Sequence, residues 1–316
     1  MTFSLIIPSF NQARFLGETL DSIADLKGGS QREVVVIDGG STDGTVELLQ
    51  QRESELAYWC SEPDRGQTHA INKGLERITG DVWAYVNSDD LLKPDCLRKV
   101  VAHFESHPGC RWLGGHAETF DHTGVIGEVA PGPVEAAIDY LAPWSRRRRH
   151  VFPFSGCVFM RRNLSDRLGP MDESLHYSMD IEFYCRALFQ EGAAPDLLPD
   201  TLAAWRWHPS AKTMERGIAY AFRQDEITIA ERYLNRLPPE QQSRLKRELR
   251  RERLLLPPRK ACYLLAQGKR RQALGILLRT ALTRPDSLFS RPWLGAVRRL
   301  FKPQGGTASL PFTPHP

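Results

Sequence analysis

The sequence predicts an α/β fold with a mostly parallel central sheet flanked by helices, followed by a helical C-terminal appendage. Three observations predict it. Over the first hundred or so residues, short apolar runs alternate with stretches of helical periodicity. Each apolar run ends in Gly, Pro or polar residues. From about residue 216 the chain becomes helix-prone, basic and interrupted by prolines.

FSLIIP (3–8) reads as the first strand. Residues 12–26 place Phe15, Leu16, Leu20, Ile23 and Leu26 at helical spacing. EVVVID (33–38) is a second, β-branched strand. STDGTVELLQQ follows, with Ser41, Thr42 or Asp43 available as a cap. LAYWCSE (56–62) is the third strand, and Ala70, Ile71, Leu75 and Ile78 mark a helix over 67–78. VWAYV (82–86) is the fourth strand, with a helix over 94–106. In an open parallel sheet the strand ends line up along one edge, where ligands bind. That edge would gather Pro8 to Asn11, Asp38 to Ser41, Glu62 to Asp64, and Asn87 to Asp90.

Beyond residue 108 the pattern changes. RWLGGHAETF (111–120) and VIGEVA (125–130) read as a hairpin, 134–141 as a helix, and 142–153 as a loop. SGCVFMRR (155–162) is a strand entering a helix at 163–168. DIEFYCRALFQEG (180–192) is an amphipathic helix ended by Gly192, and TLAAWRWH (201–208) a final strand. The expected organisation is a domain over 1–215, a basic helical region over 216–302 and a disordered tail over 303–316. Within the helical region, 260–287 resembles one helix-turn-helix hairpin turning at Gln267 to Lys269.

The composition, 41% hydrophobic and 25% charged, is that of a globular protein. No run approaches the roughly 18–20 apolar residues of a membrane span. The N-terminus lacks the basic region of a signal peptide. The six cysteines are scattered singly, with no C-x-x-C pair. A cytoplasmic setting is therefore expected. The net charge of +4 is uneven, with Arg146 to Arg149 in one run and a Lys/Arg-rich segment after about residue 240. Such patches suit anionic lipid, an acidic substrate or nucleic acid, or are simply solvated.

Asp89 and Asp90 carry the sharpest chemical signal. Adjacent carboxylates repel unless water, hydrogen-bond donors or a cation compensates them. A solvated turn capping the next helix is the plain alternative. At a polar strand edge, a diacid suits Mg²⁺ or Mn²⁺ shared with a polyphosphate. The chain has no G-x-x-x-x-G-K-[ST] loop, and SFNQARFLG is the wrong turn for a dinucleotide fold.

PSFNQARFLGETLDSI, VVVIDGGSTDGTVELL, YWCSEPDRGQTHAINKGL and VWAYVNSDDLL follow one another in this order. Together they resemble the nucleotide-sugar-binding half of the family 2 glycosyltransferases of the GT-A fold, densely over 3–108 and thinly to about 215. The resemblance implies an inverting transferase that moves a sugar from a nucleotide diphosphate sugar, UDP-sugar foremost, to a hydroxyl acceptor. It implies Mn²⁺ or Mg²⁺ as cofactor. Pro8 would touch the nucleotide and Phe10 pack on the base or lie in the core. Asp38 would read the base edge, although Gly39 stands where many relatives have a second acid. Asp64, Gly66 and Lys73 would lie near the nucleotide and phosphates, with Lys73 alternatively solvated.

NSDD occupies the D-x-D position, so Asn87 and Ser88 would face the donor while Asp89 and Asp90 serve the metal. Asp180 would be the catalytic base or merely a helix cap, with Glu182 as the fallback. WRWHPSAKT resembles an Arg-x-His segment, which makes His208 a third metal contact and Lys212 a phosphate contact. Of Trp205 and Trp207, one would face the core and the other the sugar. The setting implied is surface polysaccharide or lipid-linked glycan assembly at the inner face of the plasma membrane, with a saccharide or lipid-linked saccharide as acceptor. Two other readings remain: a non-catalytic nucleotide-sugar-binding protein, and a sugar nucleotidyltransferase. The second lacks its Gly-rich phosphate loop, and no nucleic-acid partner is expected.

Overall fold

The computed structural model describes residues 1–28, 31–132, 134–145, 151–212 and 219–301. The Arg146 to Arg149 run and the tail expected over 303–316 lie outside the described residues. The chain divides into two compact units, Met1–Pro133 with Arg149–Trp207, and Val134–Arg148 with His208–Pro316.

The first unit begins with the predicted alternation. Strand β1 (Phe3–Ser9), helix α1 (Ala13–Ala24), β2 (Arg32–Asp38), α2 (Thr45–Gln51), β3 (Tyr58–Ser61), α3 (Gln67–Leu75) and β4 (Val82–Tyr85) follow in order. β1 and β4 are buried along their whole length, as strands covered on both faces must be. α3 sits so close on β1 that a Cβ on Gly74 would meet Ile6 Cγ2 at 2.4 Å. Next come a two-residue strand β5 (Leu91–Leu92), α4 (Cys96–Ser106) and the hairpin β6 (Trp112–Asp121) with β7 (Gly124–Val129). In the second unit lies α5 (Ile138–Leu141); then β8 (Val158–Arg161), α6 (Arg162–Leu168), α7 (Met179–Glu191) and β9 (Asp196–Arg206) complete the first.

The nine-stranded sheet has the order β3-β2-β1-β4-β8-β6-β9-β5, with β7 paired to β6. It is mixed, which corrects the mostly parallel sheet expected from sequence. β1 runs parallel to β2 and β4, and β2 to β3. β8 is antiparallel to both β4 and β6, whereas β6 and β9 are parallel. The direction of a four-residue strand such as β8 is not written in its hydrophobic pattern. Residues 86–90 join β4 to β5, yet β5 pairs with β9 at the far end of the sheet. Four interstrand spacings of ~4.8 Å make roughly 19 Å on a flat sheet, about the limit of so short a connection fully extended. This connection is instead a tight turn, with Asp90 N–H donating to Asn87 O at 3.0 Å. The sheet therefore curls back on itself. Phe3, Leu5, Leu16, Val36, Phe104, Phe159 and Leu202 lie in the core it shares with its helices.

The second unit contains α8 (Ala219–Tyr233), α9 (Pro239–Ala266), α10 (Arg270–Thr283) and α11 (Arg291–Leu300). α9 runs through Pro257 and Pro258, where the prolines suggested interruption. Pro257 offers no N–H to the carbonyl of Arg253, and the Arg284 guanidinium donates to that oxygen at 2.7 Å instead. The hairpin of α9 and α10 turns at Gln267 to Lys269 and buries Ala261, Leu264, Ala273 and Leu277.

Candidate active site

The four sequence-predicted strand ends do converge on the edge where β1, β2, β3 and β4 finish, because those strands are parallel neighbours. At the exit of β4 the two carboxylates have different surroundings. Asp90 is 1% exposed. Its Oδ1 accepts from the Arg206 backbone N–H at 2.9 Å and its Oδ2 from Asn87 Nδ2 at 2.8 Å. Burial, then the Asp89 charge, pushes its carboxyl well above the usual range, against the pull of these bonds. Asp89 is half-buried and its backbone oxygen accepts from Arg206 Nε at 2.8 Å. Thr19 Oγ1 donates to the carbonyls of both Ser88 and Asp90, at 3.0 and 2.8 Å, so α1 fixes the same turn. Ser88 itself is buried. Asn87 Oδ1 accepts from Gln67 Nε2 at 2.7 Å, which ties β4 to the start of α3.

Arg206, the last residue of β9, is the most connected residue here that sequence reasoning gave no role. Besides its bonds to the Asp89–Asp90 turn, its guanidinium pairs with Glu18 at 2.7 Å and lies over the rings of Phe120 and Phe15 at 4.6 and 5.0 Å. The signal was its place between Trp205 and Trp207, where alternation drew attention to the tryptophans. Trp205 stacks on Phe154 with centroids 5.2 Å apart, and Trp207 meets it edge-on at 5.5 Å.

At the end of β1, Pro8 is buried opposite Ile37, while Phe10 is 59% exposed, which removes the core reading for that ring. Asn11 holds a left-handed φ of 53°, and its Oδ1 accepts from Thr42 N–H at 2.9 Å, stitching the β1 and β2 loops together. Asp38 is fully buried. Its carboxylate accepts from Gly40 N–H at 3.1 Å, Ser41 N–H at 2.8 Å and the hydroxyls of Ser41 and Ser61 at 2.5 and 2.6 Å. It shapes the loop from within. A Cβ on Gly39 would meet Asp64 Oδ2 at 2.9 Å. Asp64 thus brings a carboxylate to the place where the second acid of the β2 end is missing. Its Oδ1 also accepts from Gly66 N–H at 2.7 Å, and Gly66, at φ 114°, opens α3. Lys73 pairs with Glu62.

The segment before α7 is fastened to α3. Asn72 exchanges hydrogen bonds with the backbone of Met171 at 3.0 and 2.8 Å, and Arg65 pairs with Glu173 at 2.8 Å. α7 then packs on the sheet through Phe183 against Trp83 and Tyr184 against Trp112. Asp180 lies in its first turn, half-buried, its Oδ1 accepting from Ile181 N–H at 2.8 Å. The buried Tyr85 phenol is pushed well up by burial and next by the Asp180 carboxylate, with Asp90 adding to it. One side chain of β4 thus feels both acidic centres. Glu182 is 1% exposed and paired with Arg186 at 2.5 Å, which removes it as the fallback base.

His208 and Lys212 belong to the second unit. There His208 is buried with Nδ1 at 3.0 Å from Ser210 Oγ, and Lys212 is exposed. Among the described residues, one group of His, Cys and Asp side chains has metal-ligand spacing: His103, Cys110 and Asp196, with ligand atoms within 4.8 Å of one another. It lies where β6 and β9 begin. Since β6 runs parallel to β4 through the intervening β8, that is the opposite edge of the sheet from Asp89.

A curled mixed sheet with an acidic turn after β4 and a carboxylate opening α7 defines an α/β protein whose parallel strand ends gather its acidic groups at one edge. The sequence model of "Glycosyl transferase family 2" matches residues 4–168, and the chain belongs to that family. It is 32% identical over 251 residues to an uncharacterised glycosyltransferase of Nostoc, covering 74% of this chain and 75% of that one. Among solved structures, TarS from S. aureus in complex with UDP-GlcNAc superposes with a TM-score of 0.59 at 20% identity, covering 95% of this chain and 80% of that one. The mannosyltransferase PcManGT from Pyrobaculum calidifontis, in complex with GDP-Man and Mn²⁺, gives 0.53 at 19% identity, covering 94% and 83%. At these identities the structural likeness shows the shared fold.

Proposed function

We propose that this chain has the GT-A architecture and is an inverting glycosyltransferase that moves a sugar from a nucleotide diphosphate sugar, UDP-sugar foremost, to a hydroxyl acceptor. The observation that carries the reading is the division of labour between the two neighbouring carboxylates. Asp90 is sunk in the turn and bonded within it, whereas Asp89 is half-buried, and it is Asp89 that this reading assigns to the donor. A hard divalent ion fits this donor set, an oxygen ligand beside a second acid whose charge wants compensation. Mn²⁺ or Mg²⁺, held by Asp89, would offset the charge of the departing diphosphate. Phe10 offers an exposed aromatic face for a nucleobase, and Asp64 beside Gly39 offers a carboxylate at the same loop. Asp180 takes the proton from the acceptor hydroxyl as its oxygen attacks the anomeric carbon from the face opposite the leaving diphosphate. Family membership and the two nucleotide-sugar complexes of similar fold support this reading.

The test is a donor screen by thermal shift, followed by transfer of labelled sugar. One nucleotide sugar should raise the melting temperature only with Mn²⁺ or Mg²⁺ present. Full transfer in excess chelator would remove the metal role. Tight binding without transfer or donor hydrolysis would favour the non-catalytic reading. The physiological setting that fits is glycan assembly at the cytoplasmic face of the plasma membrane, since a lipid-linked acceptor would bring a basic chain to anionic lipid. No helix among the described residues is long and apolar enough to cross a membrane. Cell fractionation checks the setting: the chain should pellet with membranes and be released by salt, and a chain wholly in the soluble fraction at low salt would overturn it.

A further inference from the structure

We infer that the opposite edge of the same sheet carries a second metal site, specific for Zn²⁺ and independent of the donor site, formed by His103, Cys110 and Asp196. The three ligands come from separate places in the chain. His103 lies in the last turn of α4, Cys110 on the turn into β6, and Asp196 is the first residue of β9. The pairing of Leu113 with Asp196 in parallel β6 and β9 sets the carboxylate beside the Cys110 turn. Cys110 N–H donates to His107 O at 2.9 Å and closes that turn. As a result His103 Nε2 lies 2.8 Å from Asp196 Oδ2, and all three ligand atoms fall within 4.8 Å of one another. Tetrahedral zinc, with bonds of about 2.0–2.3 Å, needs its ligands roughly 3.3–3.8 Å apart, so small side-chain rotations suffice.

The set discriminates between metals. A thiolate with an imidazole and one carboxylate is borderline-soft and favours Zn²⁺ over the oxygen-seeking Mg²⁺ and Mn²⁺. Cys110 is 5% exposed, so its sulfur faces the other two ligands rather than bulk water. A cavity of about 400 Å³ opens onto Cys110 and Asp196 and is also lined by His107, Arg111 and Ala193. It gives a metal a way in and a fourth position for water or His107, whose ring stacks on His103 at 4.2 Å. Arg111 on this wall is turned to the Glu191 backbone oxygen at 2.9 Å, and Arg161 Nε donates to the Cys110 backbone oxygen at 2.8 Å. Binding breaks the Cys110 S–H bond, releases that proton to solvent and forms a Zn–S bond. It exchanges the His103–Asp196 hydrogen bond for two metal bonds, locking α4 to the start of β9.

The test uses the full chain stripped with chelator. Zn²⁺ alone is titrated against a chromophoric competitor, and Co²⁺ is read by its thiolate charge-transfer band. The expected result is one Zn²⁺ per chain, with the band present in the wild type. Affinity should fall at least tenfold in Cys110→Ser and His103→Gln, and stay unchanged in Asp89→Ala. Equal zinc binding by wild type and Cys110→Ser would overturn the site. Should those variants misfold, the wild-type cobalt spectrum decides: lack of a thiolate band, or binding lost in Asp89→Ala, overturns it too. None of these outcomes bears on sugar transfer, so this site and the donor site stand or fall separately.

Discussion

Where β1, β2 and β4 end, the chain presents oxygen: Asp89 half-buried, Asp90 and Asp38 sunk into the fold, Asp64 against Gly39. Where β6 and β9 begin, at the opposite edge of the sheet, it presents nitrogen, sulfur and a single carboxylate. The first edge is made by parallel strand ends, whose loops leave the sheet together and can wrap a large anionic ligand. The second is made by a helix end and two strand starts brought together by pairing. Ligand spacing by itself would put the metal at the second edge. The proposed reading puts catalysis at the first edge instead, because the exposed Phe10 and the loops that follow the parallel strands β1 to β4 lie there.

The largest expected effect tests that assignment. Asp89→Ala should lower labelled-sugar transfer by about a hundredfold or more, the scale of a lost metal contact worth several kcal/mol. Its melting temperature should move less than that of Asp90→Ala, since the Asp90 carboxylate is buried and accepts from Arg206 N–H and Asn87 Nδ2. Retained transfer in Asp89→Ala, with loss in Cys110→Ser, would reverse the comparison. Asp90→Ala separates holding from binding at the first edge. It leaves the Arg206 N–H and Asn87 Nδ2 without their acceptor, which should cost roughly 2–4 kcal/mol of stability in urea denaturation. Asp90→Asn keeps one acceptor and should cost less. Wild-type stability in Asp90→Ala would mean the carboxylate does not hold the turn. Gly39→Ala should act locally: its Cβ would press on Asp64, so nucleotide affinity by calorimetry should weaken severalfold while stability changes by only about 1 kcal/mol. Unchanged affinity would take Asp64 out of the nucleotide site.

Much of this was legible in the sequence, for identifiable reasons. β1 to β4 and the helices between them follow hydrophobic period, so their bounds fall within a few residues of the predicted ones. The acidic turn was legible because two adjacent charges after an apolar run need an explanation. What could not be read is partnership across the sheet. β5 is two residues long, and β8 gives no sign of its direction. Arg206 and Thr19 meet the Asp89–Asp90 turn only because the sheet curls. His103, Cys110 and Asp196 were passed over because cysteine arithmetic looks for ligands close in sequence, and these join through the β6–β9 register. Glu182 looked like a base because its partner Arg186, one helical turn on, was not weighed.

The smallest effect sharpens the second edge by chemistry rather than by mutation. In the metal-free chain, burial and then the nearby Asp196 carboxylate push the Cys110 thiol up to about 12. Since only the thiolate attacks, alkylation of Cys110 in chelator should be slow at neutral pH. It should keep rising past about pH 10, where an ordinary thiol has largely levelled off, because the folded chain retains this proton until the pH nears 12. Peptide-resolved mass spectrometry with iodoacetamide gives the profile. Asp196→Asn removes the neighbouring charge and should shift the rise to lower pH, which a purely steric shield over the sulfur would not do. A wild-type profile that plateaus at about pH 10 and does not move in Asp196→Asn would show that Asp196 does not face the thiol, and with it the shared ligand geometry of the second edge would be lost.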